Sequence, residues 1–232
     1  MKSSQQRLPE LLDNIFWNTL TGPHAKFAVG AGGARRYAPG FSPILGFERI
    51  DAPDFESLAP YCGAGERFYC GGWAGDLPAG WQLAAQAYMC CMRWQGAIPV
   101  EEEIPSAVRL GAEHAGQAVE LALLTNPGPF GPRTIELGEY FGCFEGGRLI
   151  AMAGERMHAG NLREVSGVCT HPDFQGRGLA RRLMIKLMLR QLRRDEIPFL
   201  HVMSVNATAR RLYERLGFRN YHETVVRIIS RN

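Results

Sequence analysis

The stretch that most narrows what this chain can fold into runs from Arg163 to Arg193. It reads as a strand over Arg163 to Thr170, a turn opened by His171-Pro172, a loop Gln175-Gly176-Arg177-Gly178, and a helix from about Leu179. Proline ends the strand's ladder, and the glycines let the backbone turn into a helix start. Along the helix Leu179, Leu183, Leu187 and Gln191 step by four, and Ala180, Met184 and Met188 widen that stripe. Ile185, Leu189 and Leu192 add a second apolar row, so most of the helix circumference is covered by neighbours. Arg182, Lys186, Arg190 and Arg193 hold the remaining strip, whose plain reading is a solvated basic face.

The flanking sequence supplies further elements. Ala107 to Leu110 is a short strand candidate, and the apolar positions 115, 118, 119, 122 and 123 give Glu113 to Leu124 helical spacing. Residues 126–132 are dominated by proline and glycine and stay irregular. Tyr140 to Phe144 and Leu149 to Met157 read as strands joined through Glu145-Gly146-Gly147-Arg148, which with Arg163 to Thr170 makes an antiparallel meander. Phe199 to Val202 is a short buried strand. Asn206 caps a helix with Ala209, Leu212, Tyr213 and Leu216 on one face, Gly217 closes it, and Val225 to Ile229 is a last strand. Upstream, Lys26 to Val29 and Ala34 to Tyr37 flank Gly30-Ala31-Gly32-Gly33 as a hairpin. A dinucleotide loop fails there, because Arg35 stands where the third glycine would be. Glu101-Glu102-Glu103 before Pro105 reads as a linker, dividing the chain into 1–103 and 104–232.

Composition narrows the class. With 232 residues, 46% hydrophobic and 21% charged, the chain can bury a real core and is neither disordered, collagen-like nor a disulfide scaffold. Six cysteines show no CxxC pair and no zinc spacing, so free thiols in a reducing compartment and no metal are expected. Met1 to Asp13 has no apolar run of a secretory signal, and no stretch is long and apolar enough to span a bilayer. A soluble cytoplasmic protein without membrane partners is the expectation. The net charge of +3 hides a split, −3 over 1–103 and +6 over 104–232, with +8 concentrated in 177–219.

A helix N-terminus leaves backbone N–H groups unpaired and carries partial positive charge, so the loop before Leu179 suits a pyrophosphate. Gln175-Gly176-Arg177-Gly178-Leu179-Ala180, the spacing of Asn206 to Tyr213, and Leu216-Gly217-Phe218 together resemble the GNAT superfamily of acyl-CoA-dependent N-acyltransferases. The resemblance covers roughly 104–232. Val165 to Pro172 and Pro198 to Val202 look closest to its glycine N-acyltransferase-like branch, in which residues 1–103 would be a degenerate copy of the same fold. It implies an α/β fold, a mixed, largely antiparallel sheet flanked by helices, with the catalytic domain at 104–232.

By that resemblance the chain is an acetyltransferase using acetyl-CoA as co-substrate, passing the acyl group directly to a primary amine, of a small molecule. Val168, Cys169 and Thr170 would hydrogen-bond the pantetheine arm, with the N–H of Val168 or Cys169 facing the thioester carbonyl. Backbone groups of Gln175, Gly176, Arg177, Gly178, Leu179 and Ala180 would hold the pyrophosphate, with Arg177, Arg181 or Arg182 adding charge. Tyr213 is the candidate general acid and Glu164 the candidate base, with Glu155 second; Asn206 either bonds the pantetheine arm or only caps its helix. A structural ion pair with Arg163 or Arg156 is the competing reading of Glu164. His171 reads as structural and Cys169 not as a nucleophile. Two other functions remain open, an inactive acyl-CoA sensor and a nucleic-acid module built on the basic 177–219 segment.

Overall fold

Strands from both sides of residue 103 are hydrogen-bonded into one sheet. The computed structural model describes residues 4–104 and 107–232. Met1 to Ser3, part of the stretch read for targeting, and Pro105, part of the linker reading, lie outside the described residues. In chain order the elements are α1 (Ser4–Asp13), α2 (Ile15–Thr21), β1 (Ala28–Val29), β2 (Ala34–Tyr37), β3 (Leu45–Phe47), α3 (Phe55–Leu58), β4 (Arg67–Gly71) and β5 (Trp81–Trp94). There follow β6 (Ala107–Arg109), α4 (Ala115–Thr125), β7 (Tyr140–Glu145), β8 (Arg148–Ala159), β9 (Leu162–Thr170), α5 (Leu179–Arg193), β10 (Ile197–Met203), α6 (Ala207–Arg215) and β11 (Phe218–Arg231).

The main sheet among the described residues has the order β4-β11-β5-β10-β9-β8-β7-β6. Only β9 and β10 run parallel; every other neighbouring pair is antiparallel. A division at residue 103 therefore falls inside a continuous ladder, because β5 lies between β10 and β11. A smaller sheet, β1-β2-β3, contains the expected hairpin, with Ala28 opposite Tyr37 and Val29 opposite Arg36. The β7–β8 turn matches its sequence signal: Glu145 pairs with Arg148, and Gly146 and Gly147 both have positive φ, as a tight right-twisted hairpin needs.

Helices cover both faces of the sheet. On β8, Ala151 and Ala153 turn to the face where Leu183, Leu187 and Met188 of α5 are buried, while Met152 faces Leu121 and Ala122 of α4. Small alanines let the heavily apolar α5 seat close to the strands, and eight of its fifteen residues are buried. The arginines of its polar strip are not free. Arg182 donates to the Arg177 carbonyl at 3.0 Å, Arg190 makes two bonds to Glu139 at 2.6 Å and Arg193 bonds Glu101 at 2.7 Å, while Arg181 beside the strip pairs with Glu102. The acidic run before Pro105 thus lies against the basic helix and offsets part of its charge. All six cysteines are buried and unbridged. Among the described residues no helix is long and apolar enough to cross a membrane.

Candidate functional site

The parallel pairing of β9 with β10 lasts three residues, Leu162, Arg163 and Glu164 against Ile197, Pro198 and Phe199. Beyond that point the strands part. A cleft of about 860 Å³ opens between them, lined by Val165 to Thr170 of β9 and His201 to Met203 of β10. Strand backbone facing a cleft rather than a neighbour leaves donors and acceptors for an extended ligand.

A bulge shapes the β9 wall. Met152 pairs with Cys169 and Gly154 with Ser166, so Gly167 and Val168 together oppose Ala153. Gly167 has φ +62°, and a side chain there would press on the Tyr140 ring. Such a bulge twists the strand and re-aims the peptide groups beside it, here those of Val168 and Cys169.

At the open end stands the glycine loop. Gly176 and Gly178 have φ of +78° and +71°, and Gly178 is the residue immediately before α5. Both are exposed, and a Cβ at either would meet nothing within 4 Å. The glycines are thus required by backbone conformation, with open space in front of them. Gln175, Gly176, Gly178, Leu179, Ala180 and Arg181 all line the cleft. Arg177 does not; it reaches Glu145 at 3.1 Å and lies over the Phe174 ring.

α6 forms the facing wall. Its N-cap Asn206 lines the cleft while its side-chain oxygen accepts the Ala209 N–H at 3.1 Å, so the capping role is made. Tyr213 lines the cleft two turns on, buried to 9% exposure. Burial above all, and then the Cys169 sulfur, pushes its phenol up to about 12, so it carries its proton at neutral pH. Cys169 lines the cleft as well, and burial pushes its thiol up to about 11, which keeps it un-ionised and a poor nucleophile. His171 is tied into the turn, its Nδ1 accepting the Asp173 N–H at 3.2 Å and its Nε2 lying 2.7 Å from the Arg148 guanidinium.

At the closed end of the cleft Glu164 makes the ion pair with Arg156 that competes with its reading as the base. Glu164, the candidate base, does not line the cleft; its side chain is 1% exposed and held in ion pairs. Arg156 donates to both carboxylate oxygens, Nε to Oε2 at 3.0 Å and Nη2 to Oε1 at 2.9 Å, and His201 Nδ1 lies 2.9 Å from Oε1. A β-bulge creates this pairing. Glu155 pairs with Val165 and His158 with Arg163, so Arg156 and Met157 both stand opposite Glu164. Burial alone would raise the Glu164 carboxyl, but Arg156 and then His201 outweigh it and bring it down to about 2. A carboxylate so strongly held in its charged form has little affinity for a substrate proton. Burial works against a charged His201, yet Cys91 and Glu164 overcome it and lift the imidazole to about 9. Glu155, the second base candidate, is 2% exposed and bonded to Gln191 and Arg194.

Sequence reasoning missed several cleft residues. Arg156 and His201 line it, and so do Tyr69, Gln86 and Met89 from β4 and β5. Thr125 to Pro129 of the Pro/Gly loop complete the rim. That loop is pinned from residues 40–42: Ser42 Oγ donates to the Pro129 carbonyl, and Gly131 approaches the Gly40 carbonyl where no side chain would fit.

Known proteins match this arrangement. The FR47-like protein family matches residues 140–227. A protein from Novosphingobium aromaticivorans assigned to the GNAT family of acetyltransferases superposes with a TM-score of 0.85 and 36% identity, over 95% of this chain and 98% of its own. A GCN5-related N-acetyltransferase-like protein from Streptococcus suis shares the fold at TM-score 0.60 and 14% identity, over 98% of each chain. A GCN5-related N-acetyltransferase from Kribbella flavida does so at 0.56 and 15%, over 92% of this chain and 95% of its own. No curated protein sequence matches the chain.

Proposed function

The chain belongs to the GNAT family of acetyltransferases, and from that premise we propose that it transfers an acetyl group from acetyl-CoA to the primary amine of a small molecule, by direct attack in a ternary complex. One observation carries this reading: the β9–β10 ladder ends after three pairs and the cleft it opens leads to the glycine loop at the start of α5. An extended pantetheine arm completes the free strand edge, and the loop with the fifteen-residue α5 behind it favours a pyrophosphate.

In the proposed reaction the amine nitrogen attacks the thioester carbonyl carbon. A C–N bond forms, the C–S bond breaks, the amine's proton leaves to solvent, the thiolate takes the phenol proton of Tyr213, and the phenolate is re-protonated from solvent. The N–H of Val168 or Cys169, re-aimed by the Gly167 bulge, faces the carbonyl oxygen as negative charge builds on it. Thr170 and Asn206 flank the arm, and Gln175 to Ala180 with Arg181 hold the pyrophosphate. Arg177, turned to Glu145, contributes through its backbone. Glu164 is assigned as a positioning residue for Arg156 and His201 rather than as the base, because its lone pairs are taken up by both. The acyl-CoA machinery then resides in 104–232, with β4 and β5 supplying one wall. The glycine N-acyltransferase-like branch belongs to this proposal on Val165 to Pro172 and Pro198 to Val202, and the buried, unbridged cysteines favour a reducing cytoplasm.

Acetyl-CoA raises the melting temperature through mass action, and mixing it with a panel of amines releases free thiol. Tyr213→Phe lowers kcat about 100-fold or more and leaves acetyl-CoA affinity within about twofold. Equal turnover of wild type and variant at all pH values removes Tyr213 from the mechanism.

A further inference from the structure

The acyl-CoA reading uses the β9 edge, the glycine loop and α6, and it leaves a third wall of the cleft without a ligand. That wall comes from three neighbouring strands. Ile228 of β11 is the register partner of Tyr69 in β4 and of Ala85 in β5, and Val226 is the partner of Ala87. Register partners share one face of a sheet, as do residues two apart on a strand, so these side chains form two adjacent rows. All five line the cleft, and they are apolar apart from the Tyr69 hydroxyl. Ala85 is exposed and Ala87 half-buried, so room for a ligand lies in front of the two smallest side chains of the wall. Pro127 to Pro129 line the same cleft, and residues 42–43 tie that loop to the wall. Ser42 Oγ donates to the Pro129 carbonyl at 2.8 Å, and the Tyr69 N–H donates to the Pro43 carbonyl at 2.8 Å. Loop and wall are thus held together before any ligand arrives. Among the described residues that line the cleft, none is an aspartate or glutamate.

We propose that the acceptor is a monoamine with an apolar body, aliphatic or aromatic, and that Ala85, Ala87, Val226 and Ile228 receive that body while its amine reaches the thioester beside Val168. The proposal rests on the acyl-transfer reading and deepens it by naming the acceptor class. With acetyl as the transferred group, only the acceptor has a body large enough to cover this wall. Each methylene taken out of water against such a wall strengthens binding roughly three- to fourfold. A second cation on the acceptor finds no carboxylate lining the cleft and is desolvated without a partner. Arg156 and His201, which line the same cleft, repel it further. Ala85 and Ala87 are thus specificity-determining residues, because their small size sets the bulk that the wall accepts.

The full-length protein with acetyl-CoA is assayed by free-thiol release against propylamine, butylamine, hexylamine and 1,6-diaminohexane. From propylamine to hexylamine kcat/KM rises roughly threefold per methylene, and hexylamine exceeds the diamine about tenfold or more. A rate that stays flat or falls with chain length, or a diamine turned over as well as hexylamine, overturns the proposal and leaves acyl transfer standing. Failure of every alkylamine while some other amine is acetylated does the same. Thiol release with no amine at all overturns acyl transfer and the proposal with it. Replacing acetyl-CoA by hexanoyl-CoA with propylamine is the second arm: a gain from the longer acyl group, without one from the longer amine, gives the wall to the acyl chain and overturns the proposal. Ala85→Asp puts a carboxylate on the wall at an exposed position. Hexylamine then loses roughly tenfold in kcat/KM relative to 1,6-diaminohexane, and KM for acetyl-CoA stays within about twofold. An unchanged ratio of the two amines overturns the assignment of the wall. The amine series needs only the wild-type protein, so it decides the question even where the variant does not fold.

Discussion

The two ends of the cleft are built on opposite principles. At the open end the chain offers backbone: exposed glycines at positive φ, a helix start and few committed side chains. At the closed end it offers side-chain charge, Arg156 and His201 around a Glu164 that is 0% exposed. Backbone recognition depends on local conformation and tolerates exposure. Buried charge depends on several elements arriving together, and it is expensive to disturb. On the proposed function, the open end takes the acyl-CoA phosphates by backbone, and the closed end is held by charges that the glycine-loop signature does not specify.

The largest expected effect tests the closed end. Glu164→Gln leaves Arg156 and His201 without their shared anion, and the protein loses about 3–5 kcal/mol in a denaturant titration at neutral pH. The sign of the pH dependence follows from the two shifts. Glu164 is lowered from 4.5 to about 2, so its stabilisation is complete above 4.5 and is lost as the pH falls toward 2. His201 is raised from 6.5 to about 9, so its stabilisation is complete below 6.5 and is lost as the pH rises toward 9. The variant lacks the Glu164 share of the acid limb, leaving the part that Glu66, Glu139 and Glu196 contribute through their own arginines. A variant as stable as wild type, with the same acid limb, breaks the contrast between the two ends.

The same contrast decides what the sequence could reveal. The open end was legible because its signals are local: Pro172, Gly176, Gly178 and the apolar period after Leu179 lie within one stretch. Asn206, Tyr213 and Gly217 were legible for the same reason, and Gly217 does take a positive φ. The closed end was legible only in part. An ion pair of Glu164 with Arg156 is the competing reading that the sequence allows, but Arg156 sits inside the apolar run Leu149 to Met157, and the bulge between β8 and β9 that turns it onto Glu164 has no local signal. His201 lies in a strand that reads as plain core, and nothing local places it beside a carboxylate 37 residues away. The strand Trp81 to Trp94 also escaped notice, because Ala84, Ala85 and the flanking glutamines blur its alternation. Its existence depends on β11, which extends from Phe218 to Arg231 rather than the expected Val225 to Ile229, and pairs with it along its whole length.

The open end is tested by charge. Gly178→Glu places a carboxylate where the pyrophosphate is proposed, and the acetyl-CoA dissociation constant rises roughly 100-fold by calorimetry, or about 2–3 kcal/mol. Gly178→Ala is the control, since any side chain at φ +71° costs about 1 kcal/mol of strain. Equal loss of affinity in both variants makes the effect conformational, and unchanged affinity in the glutamate variant removes the pyrophosphate from this loop.

The smallest effect probes Asn206, which belongs to both categories because its side chain has two ends. The oxygen caps α6 through the Ala209 N–H, a purely structural task. The amide nitrogen is the only part left to meet a pantetheine carbonyl. Asn206→Ala therefore costs about 1 kcal/mol of stability through the cap, whatever the ligand does. Asn206→Asp separates the two tasks: aspartate caps as well as asparagine, so stability stays within about 0.5 kcal/mol, but it cannot donate to the arm. A fall of a few-fold in acetyl-CoA affinity for Asn206→Asp, at unchanged stability, places the residue with the backbone-type recognition of the open end. Unchanged affinity leaves it as a cap alone, and the pantetheine arm is then held by β9 without help from α6.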